Sequence, residues 1–271
     1  MIDLRLPASP SELSRSASQQ ARESTERWVN DNLYCVNCGR RDLERRQAGT
    51  PFRDFECGHC DEPFELKSTA GQLRSSIPAG GYDRSVKAFQ EGRVPSFLLL
   101  SYSSADRRVT DLLAVNRAFI SQMALRRRER PLGWPGRENY YMSSLDFSRV
   151  PECARVPIVR HGFERPARFV RQSWDRFAFV RRPAEPEDRD WIRDILSCIA
   201  RLPGREFTLG ELYDFEPELA ALYPNNRHIR DKVRQKLQVL CRKGVLRRVV
   251  SGVYESVLRR AGTNPSTWWA T

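Results

Sequence analysis

The sequence contains no stretch of about 18 uncharged apolar residues, so a membrane-spanning helix is excluded as a reading. Its first residues, MIDLRLPASPSEL, hold no apolar run of the kind a secretory leader needs. A cytoplasmic, prokaryotic protein is therefore expected. Acidic residues are also short: 34 Asp and Glu face 46 Lys and Arg, for a formal charge of +12 and a pI near 9.8. Arginine supplies most of the cations, and its planar fork matches phosphate oxygens two at a time. Such a balance is the electrostatic footprint of a nucleic-acid binder, although a basic, well-solvated surface explains the charge equally well.

With 271 residues the chain is long enough for two domains, at about 100 to 200 residues each. Residues 1–14, rich in Ser and Pro, read as a poorly ordered arm. The string SQQARESTERWV, from Ser18 to Val29, lacks Gly and Pro and predicts a helix ending before Tyr34. FRDFEC, PFELK and PSFLLLSYS read as strands, the last one central and buried because its FLLL core is apolar on both faces. SVKAFQEGR between them predicts a helix. Helices and strands thus mix irregularly, as in an α/β or α+β domain.

The acidic, proline-punctuated PAEPEDRD at 183–190 marks a boundary between a domain over 1–182 and another over 183–271. Beyond it, Ile192, Ile195, Leu196 and Ile199 share one helical face. Thr208 and Glu211 form a capping box for a second helix. Asn225 or Asn226 is placed to cap a third, with Ile229, Val233, Leu237 and Leu240 inward and Gly244 closing it. VLRRVV, Ser251-Gly252 and VYESV then read as a hairpin. Three helices and a hairpin make a winged helix.

Seven cysteines divide into one cluster and three scattered residues, Cys153, Cys198 and Cys241, which read as small core side chains. Cys35-Val-Asn-Cys38 and Cys57-Gly-His-Cys60 give two C-x-x-C pairs at zinc-site spacing. Four thiolates around one Zn²⁺ form a closed structural site. Gly39 and Gly58 suit the tight turns of such knuckles, and His59 is a bystander to a filled shell.

Around this cluster lie Asp54 and the triplet Glu65-Leu66-Lys67. On a strand, residues 65 and 67 project to the same face and Leu66 to the other. If the zinc-pinned hairpin brings Asp54 alongside, Asp54 and Glu65 can hold Mg²⁺ while Lys67 positions an attacking water, the logic of phosphodiester hydrolysis. A solvated strand face explains E-x-K as well. Glu26 is a further candidate ligand, or else an ordinary exposed helix carboxylate.

On the third C-terminal helix, the face opposite its apolar residues holds Arg227, Arg230, Asp231, Arg234, Gln235, Gln238 and Arg242. Guanidinium and amide groups pair with guanine and adenine edges in the major groove, where a methyl on adenine also projects. Arg247 and Arg248 on the wing are placed to meet phosphate. A solvated face, or a winged helix that binds protein, remains open.

The runs SQQARESTERWVNDNLYCVNCGR, DFECGHCDEPFELKS and VPSFLLLSYS, continued by GWPGRENYYMSSLDFSRVP, EFTLGELYDFE and NNRHIRDKVRQKLQVLCRKG, resemble the DpnI-like methyl-directed restriction endonucleases. The resemblance covers nearly the whole chain. It implies a PD-(D/E)XK restriction-endonuclease-like α/β core with a four-cysteine zinc insert, followed by an α+β winged-helix domain. It implies Mg²⁺-dependent cleavage of duplex DNA at G-A-T-C sites containing 6-methyladenine by a type II site-specific deoxyribonuclease. Asp54, Glu65 and Lys67 take the catalytic positions and Cys35, Cys38, Cys57 and Cys60 the zinc positions. Trp134 takes the place of a tryptophan near the methylated base, in a segment longer and more aromatic than the family's. There Tyr140 and Tyr141 either alter the sequence context read or simply pack. The partner expected is adenine-methylated duplex DNA, bound by a chain that is monomeric without it. The rivals are a zinc-ribbon and winged-helix regulator without hydrolysis, and a related nuclease with another site or no methyl dependence.

Overall fold

The computed structural model describes residues 2–8, 16–47, 50, 53–134, 136, 138–176, 178–181 and 186–257. Half of the expected arm at 1–14 (residues 1 and 9–14), the start of FRDFEC, residues 183–185 of the boundary segment, Pro135 and Arg137 of the aromatic segment, and the chain after Val257 lie outside these residues. In chain order the elements are α1 (Ala17–Asn32), β1 (Leu43–Arg45), β2 (Phe55–Cys57), β3 (Pro63–Ala70), β4 (Ser76–Gly81), α2 (Tyr82–Gln90), β5 (Ser96–Ser103) and β6 (Arg108–Val115). They continue with β7 (Leu125–Arg127), β8 (Met142–Asp146), β9 (Arg155–Arg160), β10 (Phe163–Glu164), α3 (Ala167–Asp175), α4 (Ala178–Arg181) and α5 (Pro186–Arg201). The C-terminal part adds β11 (Glu206–Thr208), α6 (Leu209–Tyr213), α7 (Glu216–Leu222), α8 (Ile229–Arg242), β12 (Leu246–Val250) and β13 (Val253–Ser256).

The main sheet runs β1-β2-β3-β5-β6-β9-β10. Its neighbours are antiparallel except for the parallel pair β3 and β5, so the fold is mixed α/β. β5 is buried as its composition requires, and its side chains alternate. Leu98 and Leu100 join the apolar layer under α1, with Trp28, Phe64 and Leu66. Phe97 and Leu99 face the opposite layer. That second layer continues into the C-terminal domain, where it includes Trp191, Ile195, Leu237 and Leu240. A separate sheet, β4-β8-β7, joins a strand from between β3 and β5 to two from between β6 and β9, and nothing in its alternation announced it.

Residues 2–8 depart from the expected loose arm. Leu6 N–H donates to the Arg107 carbonyl at 2.8 Å and Val109 N–H to the Leu4 carbonyl at 2.8 Å. Ile2 is buried, and the Trp28 indole N–H donates to the Asp3 carbonyl. The alternation Ile2, Leu4, Leu6 is the period-2 signal of a strand, too short to register against the polar residues after it.

The C-terminal domain has the helices and hairpin expected of a winged helix, with three local differences. Its middle helix is split into α6 and α7, separated at Asp214 and Phe215. The Thr208–Glu211 capping box forms as read. A third strand, β11, pairs with β13, so the wing is the edge of a small sheet in the order β11-β13-β12. The cap of α8 is His228, without a side-chain cap bond, rather than Asn225 or Asn226. Asn226 Oδ1 instead accepts the His228 N–H at 2.8 Å, so its amide is engaged in a turn one step before the helix. Gly244 closes α8 in the left-handed conformation, with φ +67°.

Candidate active site and metal centre

The polypeptide leaves α1 at Leu33 and turns at once into the first Cys pair. Cys35 N–H donates to the Arg40 carbonyl at 2.8 Å, and Gly39 N–H to the Cys35 carbonyl at 2.7 Å. Gly39 has φ +84°, and a Cβ there would lie 2.3 Å from Arg171 Nη1. The left-handed backbone is what calls for glycine, since the Arg171 side chain is free to move aside. Gly58 differs from expectation, since the left-handed residue of the second knuckle is Asp61 at φ 55°. At Gly58 a Cβ would meet only the carboxylate ends of Glu44 and Asp42, the nearest atom being Glu44 Oε1 at 2.9 Å, which flexible side chains can relieve.

Cys35, Cys38, Cys57 and Cys60 bring four sulfurs within 4.8 Å of one another. Cys35 Sγ lies 3.6 Å from Cys60 Sγ, and Cys38 Sγ 3.5 Å from Cys57 Sγ. Burial pushes the Cys35 and Cys57 thiols upward. Cys60 goes the other way: burial would raise it, but the Asn37 amide, 3.4 Å from its sulfur, helps pull it down. The donor set is soft, closed and four-fold, which fits a structural Zn²⁺. His59 is exposed and outside the cluster.

The hairpin that carries Cys57 also carries Asp54. β2 pairs with β3 only through Phe55↔Phe64 and Glu56↔Pro63. Asp54 N–H donates to the Phe64 carbonyl at 2.9 Å, and the Asp54 carbonyl accepts the Arg46 N–H at 2.8 Å, so its backbone is held on both sides. Past that point β3 has a free edge among the described residues. There Asp54 Oδ2 accepts the Leu66 N–H at 2.8 Å. On the face opposite Leu66, Lys67 Nζ stands 2.7 Å from Glu65 Oε1. The three side chains expected together therefore line one cleft of about 610 Å³, between α1 and β3.

Glu26 lines the same cleft. It corrects the picture of an exposed helix carboxylate, being 3% exposed and paired with both Arg22 and Arg45. Arg22 Nη2 reaches on to Asp54 Oδ1 at 3.3 Å. Neither arginine was singled out in the sequence, although the i, i+4 spacing of Arg22 and Glu26 was visible. Burial pushes the Asp54 carboxyl above the usual carboxylate range. The Leu66 N–H draws it down, Glu65 and Glu26 raise it further, and Arg22 opposes them. Asp54 and Glu65 offer hard carboxylate oxygens in the same cleft, the donor type that a Mg²⁺ takes, although among the described residues only the four cysteines bring three or more metal-ligating atoms together.

The candidate reading residues lie elsewhere. On α8, Arg230, Asp231, Arg234, Gln235, Gln238 and Arg242 are exposed, opposite buried Ile229, Val233, Leu237 and Leu240, whereas Arg227, expected on the same helical face, is exposed but precedes the His228 cap and so lies off the helix. Lys236 is buried as well. Arg230 and Arg234 are not loose: their guanidinium carbons lie 4.9 and 5.7 Å from the Tyr213 ring centroid. Arg234 Nε donates to Tyr213 Oη at 2.6 Å, and Arg230 Nε to Glu216 at 2.7 Å. On the wing, Arg247 is paired with Glu255 across the hairpin. Trp134 is 61% exposed and outside the acid cleft. Tyr140 and Tyr141 pack: a Cβ on Gly81 would lie 2.0 Å from Tyr140 Oη, and Arg127 sits 4.4 Å over the Tyr141 ring.

Among the described residues no helix is long and apolar enough to cross a membrane. A profile of the Dam-replacing family, DpnI, matches residues 2–183, and a profile of the Dam-replacing HTH domain matches residues 187–256.

Proposed function

The chain belongs to the Dam-replacing family, with that family's HTH domain over residues 187–256, and on this premise we propose that it is a methyl-directed type II restriction endonuclease. Its substrate is duplex DNA with 6-methyladenine in G-A-T-C sites, and its reaction is Mg²⁺-dependent phosphodiester hydrolysis in the cytoplasm. The observation that carries the reading is the meeting of Asp54, Glu65 and Lys67 in one cleft beside buried Glu26.

In this reading the protein divides into a PD-(D/E)XK nuclease domain over 1–182 and a winged-helix reader over 183–271, acting as a monomer until DNA is bound. Asp54 and Glu65 would hold Mg²⁺, which when bound would supply charge neutralisation at the scissile phosphate and a lower pKa for water. Lys67, kept in place by Glu65 at 2.7 Å, donates to the attacking water and orients its lone pair toward phosphorus. Water oxygen bonds to phosphorus and passes a proton to surrounding solvent as one ester P–O bond breaks, and the departing oxygen leaves with the bonding pair and takes up a proton from solvent. Arg22, in the lining of the cleft, offsets the negative charge of Glu26, Asp54 and Glu65. The four-cysteine cluster with Zn²⁺ clamps the hairpin, and Trp134 with the exposed face of α8 reads the methylated site.

The test is digestion, with Mg²⁺, of one plasmid prepared from adenine-methylating and non-methylating hosts. Cutting of the methylated plasmid alone, abolished by Asp54→Asn, supports the proposal. Equal cutting of both leaves a nuclease blind to methylation. Tight binding to methylated duplex without any nicking, with Mg²⁺ or Mn²⁺, leaves a regulator.

A further inference from the structure

The acid cleft continues beyond Lys67. Tyr102 lines it and also lines a second cavity, of about 690 Å³, whose walls include Gly71, Arg108, Arg160 and His161. Gly71 N–H donates to the Tyr102 carbonyl at 2.9 Å, so the two cavities meet at one hydrogen-bonded rim. From Lys67 to Gly71 the strand advances roughly 13 Å at ~3.3 Å per residue, a reach of a few nucleotides of DNA.

The sheet face that carries Glu65 and Lys67 becomes polar at this end. Thr69 lies opposite Ser101, and Ser101 opposite Asp111. Asp111 acts as an anchor: it accepts Ser101 Oγ at 3.2 Å and the His161 N–H at 3.2 Å, and Arg160 Nη1 lies 3.8 Å away. It thereby fixes a turn whose two residues, His161 and Gly162, have φ of 50° and 76°. Asp106 is turned back onto Ser103 Oγ at 2.7 Å. Both acids of the second cavity are thus engaged by neighbours. Arg108 is exposed and, among the described residues, is not held in an ion pair.

Resting on the nuclease reading, we propose that this continuation is a phosphate track for the DNA strand on one side of the scissile bond, with Arg108 and Arg160 contacting its phosphates. An open groove joined end-on to the hydrolytic cleft suits a continuous polyanion. Two contacts beyond the reacting phosphate fix the strand's direction across the acid pair, which is how remote binding aligns an in-line attack. Each also displaces a condensed counterion, adding salt-dependent affinity without base preference.

The experiment measures binding of the full chain to a methylated G-A-T-C duplex in Ca²⁺ as a function of salt, with cleavage in Mg²⁺ recorded alongside. Arg108→Ala is expected to reduce the slope of log affinity against log salt by about 1, and Arg108→Ala with Arg160→Gln by about 2. Arg160→Lys should restore its share, which repair of a structural defect by shape would not. A neutral methylphosphonate at one flanking position should weaken the wild type but add little to the loss in Arg108→Ala. Unchanged slopes, or methylphosphonate losses identical in wild type and variant at every flanking position, overturn the track while leaving the nuclease reading intact. If Arg108→Ala does not fold, Arg108→Gln, which keeps the stem, carries the same slope test. A wild type that neither binds nor nicks the duplex overturns both.

Discussion

Asp54 Oδ2 accepts the backbone N–H of Leu66 at 2.8 Å, so a side chain replaces the strand carbonyl that would have continued the ladder between β2 and β3. The sheet parts at that bond, and the parting creates the cleft in which Glu65 and Lys67 stand.

Asp54→Asn keeps an oxygen able to accept from Leu66 and removes a charge that burial and two neighbouring carboxylates disfavour. The folded pKa of Asp54 lies above its ordinary value, so ionisation weakens the fold as pH rises through that range. At neutral pH the variant should therefore melt at a higher temperature than wild type while its nicking rate falls at least ~100-fold. Thermal denaturation and plasmid nicking on one preparation check both. A variant that nicks normally excludes Asp54 from the chemistry.

If Asp54 holds the cation as proposed, the same shift should set the acid limb of activity. Asp54 must be ionised to hold a cation, so kcat/KM should fall as pH drops through a value above the usual aspartate range. Protons and metal compete for one carboxylate, so raising Mg²⁺ should move that limb to lower pH. A limb that stays fixed over a wide Mg²⁺ range contradicts metal binding at Asp54.

Removing zinc should act on the nuclease through the hairpin. β1 and β2 have only three residues each and cannot hold themselves together without the cluster that closes their end. Cys57→Ser, or a strong chelator, should lower Tm by at least ~5 °C and abolish nicking. Metal analysis should find one zinc per chain in the wild type, and its absence there would dispose of the cluster's structural role.

Arg234 is presented from α8 with its Nε held by Tyr213 at 2.6 Å. If it reads a base, Arg234→Ala should cost about 1–3 kcal/mol in discrimination between methylated G-A-T-C and scrambled duplexes. Binding titrations on the two duplexes decide the matter: an equal loss on both makes Arg234 a phosphate contact.

Trp191 stacks on Tyr223 with centroids 3.9 Å apart, inside the apolar layer shared by both parts of the chain. Truncation to Ala should cost about 3–5 kcal/mol and separate one thermal transition into two. A single transition at nearly the wild-type temperature would mean the two parts are joined by other contacts.

Much of the site was legible along the chain because its signals are local. Two C-x-x-C pairs, the alternation of Glu65, Leu66 and Lys67, the double-faced apolar run of β5 and the helical spacing of Ile229, Val233, Leu237 and Leu240 each depend on residues within a turn or strand of one another. Local periodicity is set by backbone geometry, and the structure keeps it. The short strand β11, the split between α6 and α7 and the pairing of residues 2–8 escaped because each is too short for a period to appear.

What the sequence by itself determined was the inventory: four soft donors at zinc spacing, two acids and an amine in order, and an arginine-rich helical face. Only the tertiary structure decided their company. Glu26 is buried between Arg22 and Arg45, Asp54 is tied to Leu66, and Arg234 rests on Tyr213 because strands and helices distant in sequence come together there. Charge and desolvation act through space, so the chemical character of a carboxylate is fixed by neighbours that the order of residues along the chain does not reveal.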